Sequence, residues 1–262
     1  MPRTKKTPAQ YLGQMAEFAS RLQAASLDHA AWAADKRYVR INGGGLRVVS
    51  LCANSPCGSL DGYGTRKTTK GLNDQEARQA KIPECEPKSK PEHLWQAALI
   101  EHSLRWPDAL PRLLHLHDAC DELRFVTDEL SLDVIRADVV LLGCSGSTWF
   151  PVFVELKVQR NETRLLDQLT GISKITNLDE ATSSGFKEFV ATAARAYGAK
   201  IAGKVDLDRA LKVMIWPSTS GTPRSGERVK ELNVRVLEFP KGSRPRERFD
   251  APSLPLTPIT KT

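Results

Sequence analysis

An α/β domain is what this sequence predicts, and three observations predict it. Two apolar runs of strand length follow each other through a short polar connector, segments of helical period flank them, and further apolar runs of strand length lie downstream. The 262 residues leave room for one such domain with an extension, or for two small ones, and a hydrophobic content of 40% supplies a core of useful size.

From the N-terminal side, Tyr11, Leu12, Met15, Phe18, Ala19 and Leu22 recur at helical spacing, so an amphipathic helix is expected from Pro8 to about Ala25. Tyr38-Val39-Arg40-Ile41 and the run Leu46 to Leu51 read as two short strands. Asn42-Gly43-Gly44-Gly45 between them is a hairpin signal, because these residues accept the positive φ that tight turns require. Residues 1–51 thus form a helix and hairpin module. From 52 to 90 large apolar side chains nearly vanish and the segment reads as a polar linker or long loop. Its Gly62, Gly64, Arg66, Lys67 and Lys70 lack the spacing of a phosphate loop, and no strand leads into them.

Residues 91–240 carry the strongest patterning. Pro91 and Glu92 suit a helix start, and the helix should run to about Arg105, before Pro107. A second helix is expected from Pro111 to Ala119 and a strand from Leu123 to Leu132. Ala137 to Gly143 and Val152 to Val158 are the paired strands, followed by helices from Asn161 to Ile175 and from Ser184 to Tyr197. Leu211 to Trp216 and Asn233 to Phe239 read as strands, and 241–262 as a basic, Pro-rich tail.

Within the second paired strand, Glu155 and Lys157 sit two residues apart in an otherwise apolar run. Alternation places both on one face, with Val154, Leu156 and Val158 on the other. Charges in so apolar a strand need water or a partner, and a hard divalent cation held by carboxylates is one such partner. The small polar connector Cys144-Ser145-Gly146-Ser147-Thr148 folds the preceding strand back, which brings Asp138 toward the pair. An Asp, a turn, and then Glu-x-Lys closing a second strand resembles the PD-(D/E)xK nuclease superfamily, with Ala137 in place of the proline that names the motif.

That resemblance spans about residues 91 to 240 and implies a restriction-endonuclease-like αβββαβ core, a mixed sheet flanked by helices. It implies Asp138 and Glu155 as ligands of Mg²⁺ or Mn²⁺, and Lys157 as the group that orients water and stabilises negative charge. The superfamily often adds a glutamate from the helix before the three strands. At about 100° per residue, Glu101 falls near the face of Leu94, Ala97, Ala98 and Leu104, whereas Glu92 falls with Gln96 and Ser103. Glu101 is therefore the candidate third metal carboxylate, the alternative being a salt bridge to a basic side chain on the sheet. Gln168, in Leu165-Leu166-Asp167-Gln168-Leu169-Thr170-Gly171, resembles the glutamine that follows the motif in RecB-like nucleases. The tyrosine usual there is replaced by Ile172-Ser173-Lys174, and an exposed helix position is the alternative.

Other chemistries find less support. His115, His117 and Cys120 hold zinc-ligand types, but on a helix i and i+2 point about 200° apart. No GxSxG elbow marks a serine nucleophile. Five scattered cysteines without a CxxC pair argue against a disulfide framework, and reduced thiols are expected. A net charge of +7 and a pI near 9.2 favour an acidic partner. Basic clusters at Arg3 to Lys6, Arg66 to Lys70, Lys88 to Lys90 and Lys241 to Arg248 are small and normally solvated, and flanking a nuclease cleft they would suit phosphate-backbone contact without base reading. No membrane-length apolar run and no signal-peptide core occur, so a cytoplasmic protein is expected. The expected activity is metal-dependent endonucleolytic cleavage of nucleic acid, DNA before RNA, in a restriction, repair, mobile-element or phage-defence setting, with a homodimer or a partner protein subunit as the assemblies in view. A catalytically silent nucleic-acid-binding module is the competing class.

Overall fold

The computed structural model describes residues 106–132, 135–157, 162–196, 198–217 and 226–239. It also describes helical residues at 95–96, 99–100 and 102–103 and short strands at 31–33, 38–40, 46–49, 60–61 and 257–258. The helix expected over 8–25 lies outside these residues.

The hairpin expected near residues 38 to 51 is present. Strands β2 (Tyr38–Arg40) and β3 (Leu46–Val49) pair antiparallel between β1 (Ala31–Ala33) and β4 (Leu60–Asp61), in the order β1-β2-β3-β4. Strand β4 lies within the segment 52–90, whose other residues fall outside the described ones. Two residues are too few to show alternation, and only pairing with β3 through Val48↔Asp61 and Val49↔Leu60 makes them a strand.

The principal sheet has the order β10-β9-β8-β7-β6-β5. Strands β5 (Glu122–Leu132), β6 (Ile135–Ser145) and β7 (Thr148–Leu156) form an antiparallel meander. Strand β7 then pairs parallel with β8 (Leu211–Pro217), which pairs parallel with β9 (Val234–Phe239). A two-residue β10 (Thr257–Pro258) lies antiparallel against β9, so part of the expected tail belongs to the sheet. The fold is thus α/β, with a mixed sheet flanked by helices.

The connections follow from the pairing. Gly146 and Ser147 close β6 onto β7 as a two-residue turn, and Gly146 takes φ 61 at its first central position, where a Cβ would be strained. Parallel pairing of β7 with β8 needs a crossover, which α2 (Glu162–Ile172), a 3₁₀ turn (Ser173–Asn177) and α3 (Glu180–Ala196) provide. A six-residue helix, α4 (Gly226–Glu231), lies between β8 and β9. Pro151 has no N–H to donate, and it falls between the Trp149↔Val205 bridge and the first β8 pair, Val152↔Leu211, where that side of the ladder is interrupted.

The helix expected over Pro111 to Ala119 is shorter: α1 spans Leu110–Leu113, with Pro111 in its first turn, and His115 at φ 50 leaves the helical path. Elsewhere the expected strands and helices recur with ends shifted by a few residues. The 3₁₀ turn continues α2, and α3 begins four residues early, where the Asp179 carboxylate accepts from the Thr182 N–H and hydroxyl.

The sheet separates two apolar cores. Phe153, Met214 and Trp216 pack with Leu165, Leu169, Phe186 and Val190 of α2 and α3. On the opposite face Val152, Val154, Leu156, Val213 and Ile215 pack with Trp95, Leu99, Ile100, Leu110 and Leu113. Strand β7 is buried from Trp149 to Leu156, as a central strand covered on both faces must be.

Candidate active site

The site begins where the β6–β7 ladder ends. The last register pair is Val139↔Val154, yet β7 stays paired with β8 through Leu156↔Ile215, and the Lys157 N–H continues to the Ile215 carbonyl at 2.9 Å. Strand β7 therefore leaves β6 one turn of the pleat before it leaves β8. Continuing the register would set Ala137 opposite Leu156. Instead the Leu156 N–H donates to Asp138 Oδ2 at 2.7 Å, so a carboxylate stands where a strand carbonyl would otherwise accept.

Asp138 also marks a change of phase in β6. Ile135 and Ala137 pack in the same core as Val140, Leu142 and Cys144, whereas Val139 and Leu141 pack in the other. Regular alternation cannot give this, so the strand turns at Asp138.

Lys157 joins the carboxylates. Its Nζ donates to Asp138 Oδ2 at 3.1 Å, to Glu155 Oε2 at 3.2 Å and to the Leu156 carbonyl at 2.8 Å. An ammonium has three donors, and these three acceptors match them. The expected same-face placement of Glu155 and Lys157 is met, with Val154 and Leu156 in the opposite core.

Glu155 is the outlier. It is 0% exposed, while Asp138 and Lys157 keep 19% and 15% of their side-chain surface. An ion pair on a half-exposed strand, the unremarkable alternative for Glu155 and Lys157, does not describe this burial. The Glu155 carboxyl is held well above the usual carboxylate range, first by burial and then by the charge of Asp138, against the pull of Lys157. One of its oxygens, Oε1, is buried with no hydrogen-bond partner. A buried carboxyl oxygen left so carries a desolvation cost unless something binds it.

The remaining predicted residues are placed unequally. Gln168 lies on α2 with its Oε1 buried and unpartnered, among Leu165, Leu166 and Leu169, and no hydrogen bond joins it to Asp138, Glu155 or Lys157. Glu101 and Glu92 lie outside the described residues. Gln96 and Ser103, which the helical wheel groups with Glu92, are each 1% exposed. A single apolar stripe could not reveal this, because Trp95, Leu99 and Ile100 share a core with both the sheet and Leu110, Leu113, Leu114 and Leu116.

Gln96 itself was not among the expected site residues, yet its Nε2 donates to the Asp138 carbonyl at 2.7 Å. Its sequence signal was weak: a lone amide among Trp95, Leu99 and Ile100. The pair of His117 and Cys120 borders a cavity of about 490 Å³ with Asp108, Arg112 and Asp121, near the start of β5. Cys120 Sγ donates to the Leu116 carbonyl at 3.5 Å. Among the described residues no group of three or more His, Cys, Asp or Glu side chains is placed to hold a metal ion, and no helix is long and apolar enough to cross a membrane. Comparison with protein-family models, with curated proteins and with solved structures finds no match to this chain.

Proposed function

We propose that this chain is a metal-dependent nuclease of the PD-(D/E)xK type on a restriction-endonuclease-like αβββαβ core, acting on DNA in preference to RNA. The observation that carries the reading is the fully buried Glu155, whose Oε1 has no partner, set beside Asp138 and Lys157 at the split end of β6 and β7. Few structural roles justify a second carboxylate and a lysine in such a place.

The donor set suits Mg²⁺ or Mn²⁺. Hard oxygen ligands are required, and Mg²⁺ commonly takes only one or two protein carboxylates and keeps waters elsewhere. Asp138 and Glu155 would hold the ion, with Glu101 the candidate third carboxylate. When bound, it would acidify water and neutralise charge on a phosphoryl group.

The chain's own residues supply the rest. Lys157 donates to two carboxylates and a carbonyl, and its ammonium would orient water and stabilise negative charge on the phosphoryl oxygens. Burial of Glu155 makes its ionised form costly, and a bound cation would compensate that charge. Gln168 is an accessory position in this reading. The net charge of +7 suits a polyanionic substrate.

The test is cleavage of plasmid by the purified chain in Mg²⁺ or Mn²⁺, comparing Asp138→Ala and Lys157→Ala. Both variants should lose about 100-fold or more in rate. Wild-type rates in both would sink the assignment. Binding that persists without cleavage under every metal, salt and substrate condition would support a silent binding module instead.

A further inference from the structure

Gln96 lies on the leading helix, is 1% exposed, and donates from Nε2 to the Asp138 carbonyl at 2.7 Å across 42 residues of sequence. Its neighbours Trp95, Leu99 and Ile100 belong to the apolar core, where an amide is disfavoured unless it is paired. The atom it pairs with belongs to the residue at which β6 changes phase and at which the β6–β7 ladder gives way to the bond from the Leu156 N–H to Asp138 Oδ2. A backbone carbonyl beside an apolar core calls for a donor, and the Gln96 amide supplies one at this position.

We propose that Gln96 is a positioning residue for this site. By donating to the Asp138 carbonyl it holds the turned peptide, and the turned peptide aims the Asp138 carboxylate at the Leu156 N–H, at Lys157 and toward Glu155. Its role in metal binding rests on the reading of Asp138 as a ligand; its role in placing the carboxylate does not.

Two substitutions remove the donor while keeping much of the bulk, Gln96→Leu and Gln96→Met. The readout is amide hydrogen exchange of the full metal-free chain, comparing Leu156 with Val152 in the same strand. If Gln96 positions Asp138, Leu156 exchanges about tenfold faster relative to Val152, because its acceptor has moved. By calorimetry, Mn²⁺ binding weakens about 10- to 100-fold, as is usual when a group that orients a ligand is lost. The proposal is overturned if Leu156 keeps its wild-type exchange, if Leu156 and Val152 accelerate together, or if a wild type that binds Mn²⁺ loses no affinity in the variants. Should Gln96→Leu not fold, Gln96→Met carries the same comparison. A wild type that binds no Mn²⁺ would strike the metal reading, and the Leu156 amide would still decide the role of Gln96.

Discussion

Replacing Glu155 by Gln should make the metal-free protein more stable at pH 8, by about 1–3 kcal/mol, the range for a buried polar atom left unsatisfied. The wild-type carboxylate is 0% exposed, its Oε1 has no donor, and Asp138 adds a like charge that Lys157 only partly offsets. Glutamine keeps the shape, can still accept from Lys157, and presents an amide that can donate toward Asp138. For a chain of this length the gain corresponds to roughly 2–12 °C in Tm. Its pH dependence has a definite sign. The folded carboxyl titrates well above its ordinary value of 4.5, so below that value it is protonated in both folded and unfolded chains and carries no charge cost. As pH rises past 4.5 the unfolded chain ionises first, and wild-type stability falls until the folded group has also lost its proton. The advantage of Glu155→Gln should therefore be small near pH 4.5 and widen toward pH 8. Urea denaturation at a series of pH values in chelator measures it. Saturating Mn²⁺ should then narrow or reverse the order, since a ligand at 100 times its Kd adds about 2.7 kcal/mol to the form that binds it. A variant no more stable than wild type at pH 8, or an advantage constant from pH 4.5 to pH 8, would refute the reasoning.

Lys157→Ala leaves two neighbouring carboxylates without their cation and should lower metal-free stability by about 2–4 kcal/mol, toward the low end for breaking a buried pair because 15% of Lys157 is exposed; chemical denaturation checks this, and a neutral result would mean that the pair is not held as described. Gly203 has φ 126, and a Cβ there would lie 2.3 Å from the Ser147 carbonyl oxygen, so Gly203→Ala should cost about 2–5 kcal/mol, read as a fall in Tm. Burial, with Asp121 and Asp118 nearby, pushes the Cys120 thiol from 9.0 up to about 12. Alkylation of Cys120 at pH 8, followed by peptide mass spectrometry, should accordingly be about a thousandfold slower in the folded chain than after denaturation.

The legible part of this molecule is the part built from short sequence separations. Seventeen residues separate Asp138 from Glu155, and a two-residue turn with Gly146 joins their strands, so the hairpin could be anticipated and with it the meeting of Asp138, Glu155 and Lys157. Strands β8 and β9 were equally plain, because each concentrates apolar residues over six or seven positions. The length of α1 was not: Leu114 and Leu116 continue the apolar pattern, while His115 at φ 50 ends the helix. Strands β4 and β10 were hidden for a simpler reason, since two residues carry no periodicity and owe their form to a partner strand.

By itself, then, the sequence determined that the chain is α/β, where its paired strands lie, and that two carboxylates and a lysine converge at their end, because alternation and tight-turn chemistry act over a few residues. Only the tertiary structure decided how those groups are held. Covering β7 on both faces buries Glu155 completely, and the early parting of β6 from β7 hands the Leu156 N–H to a side chain. The bond from Gln96 to Asp138 spans 42 residues and forms only after the helix has docked on the sheet. Burial and long-range hydrogen bonds depend on which elements meet in space, and no local pattern records that.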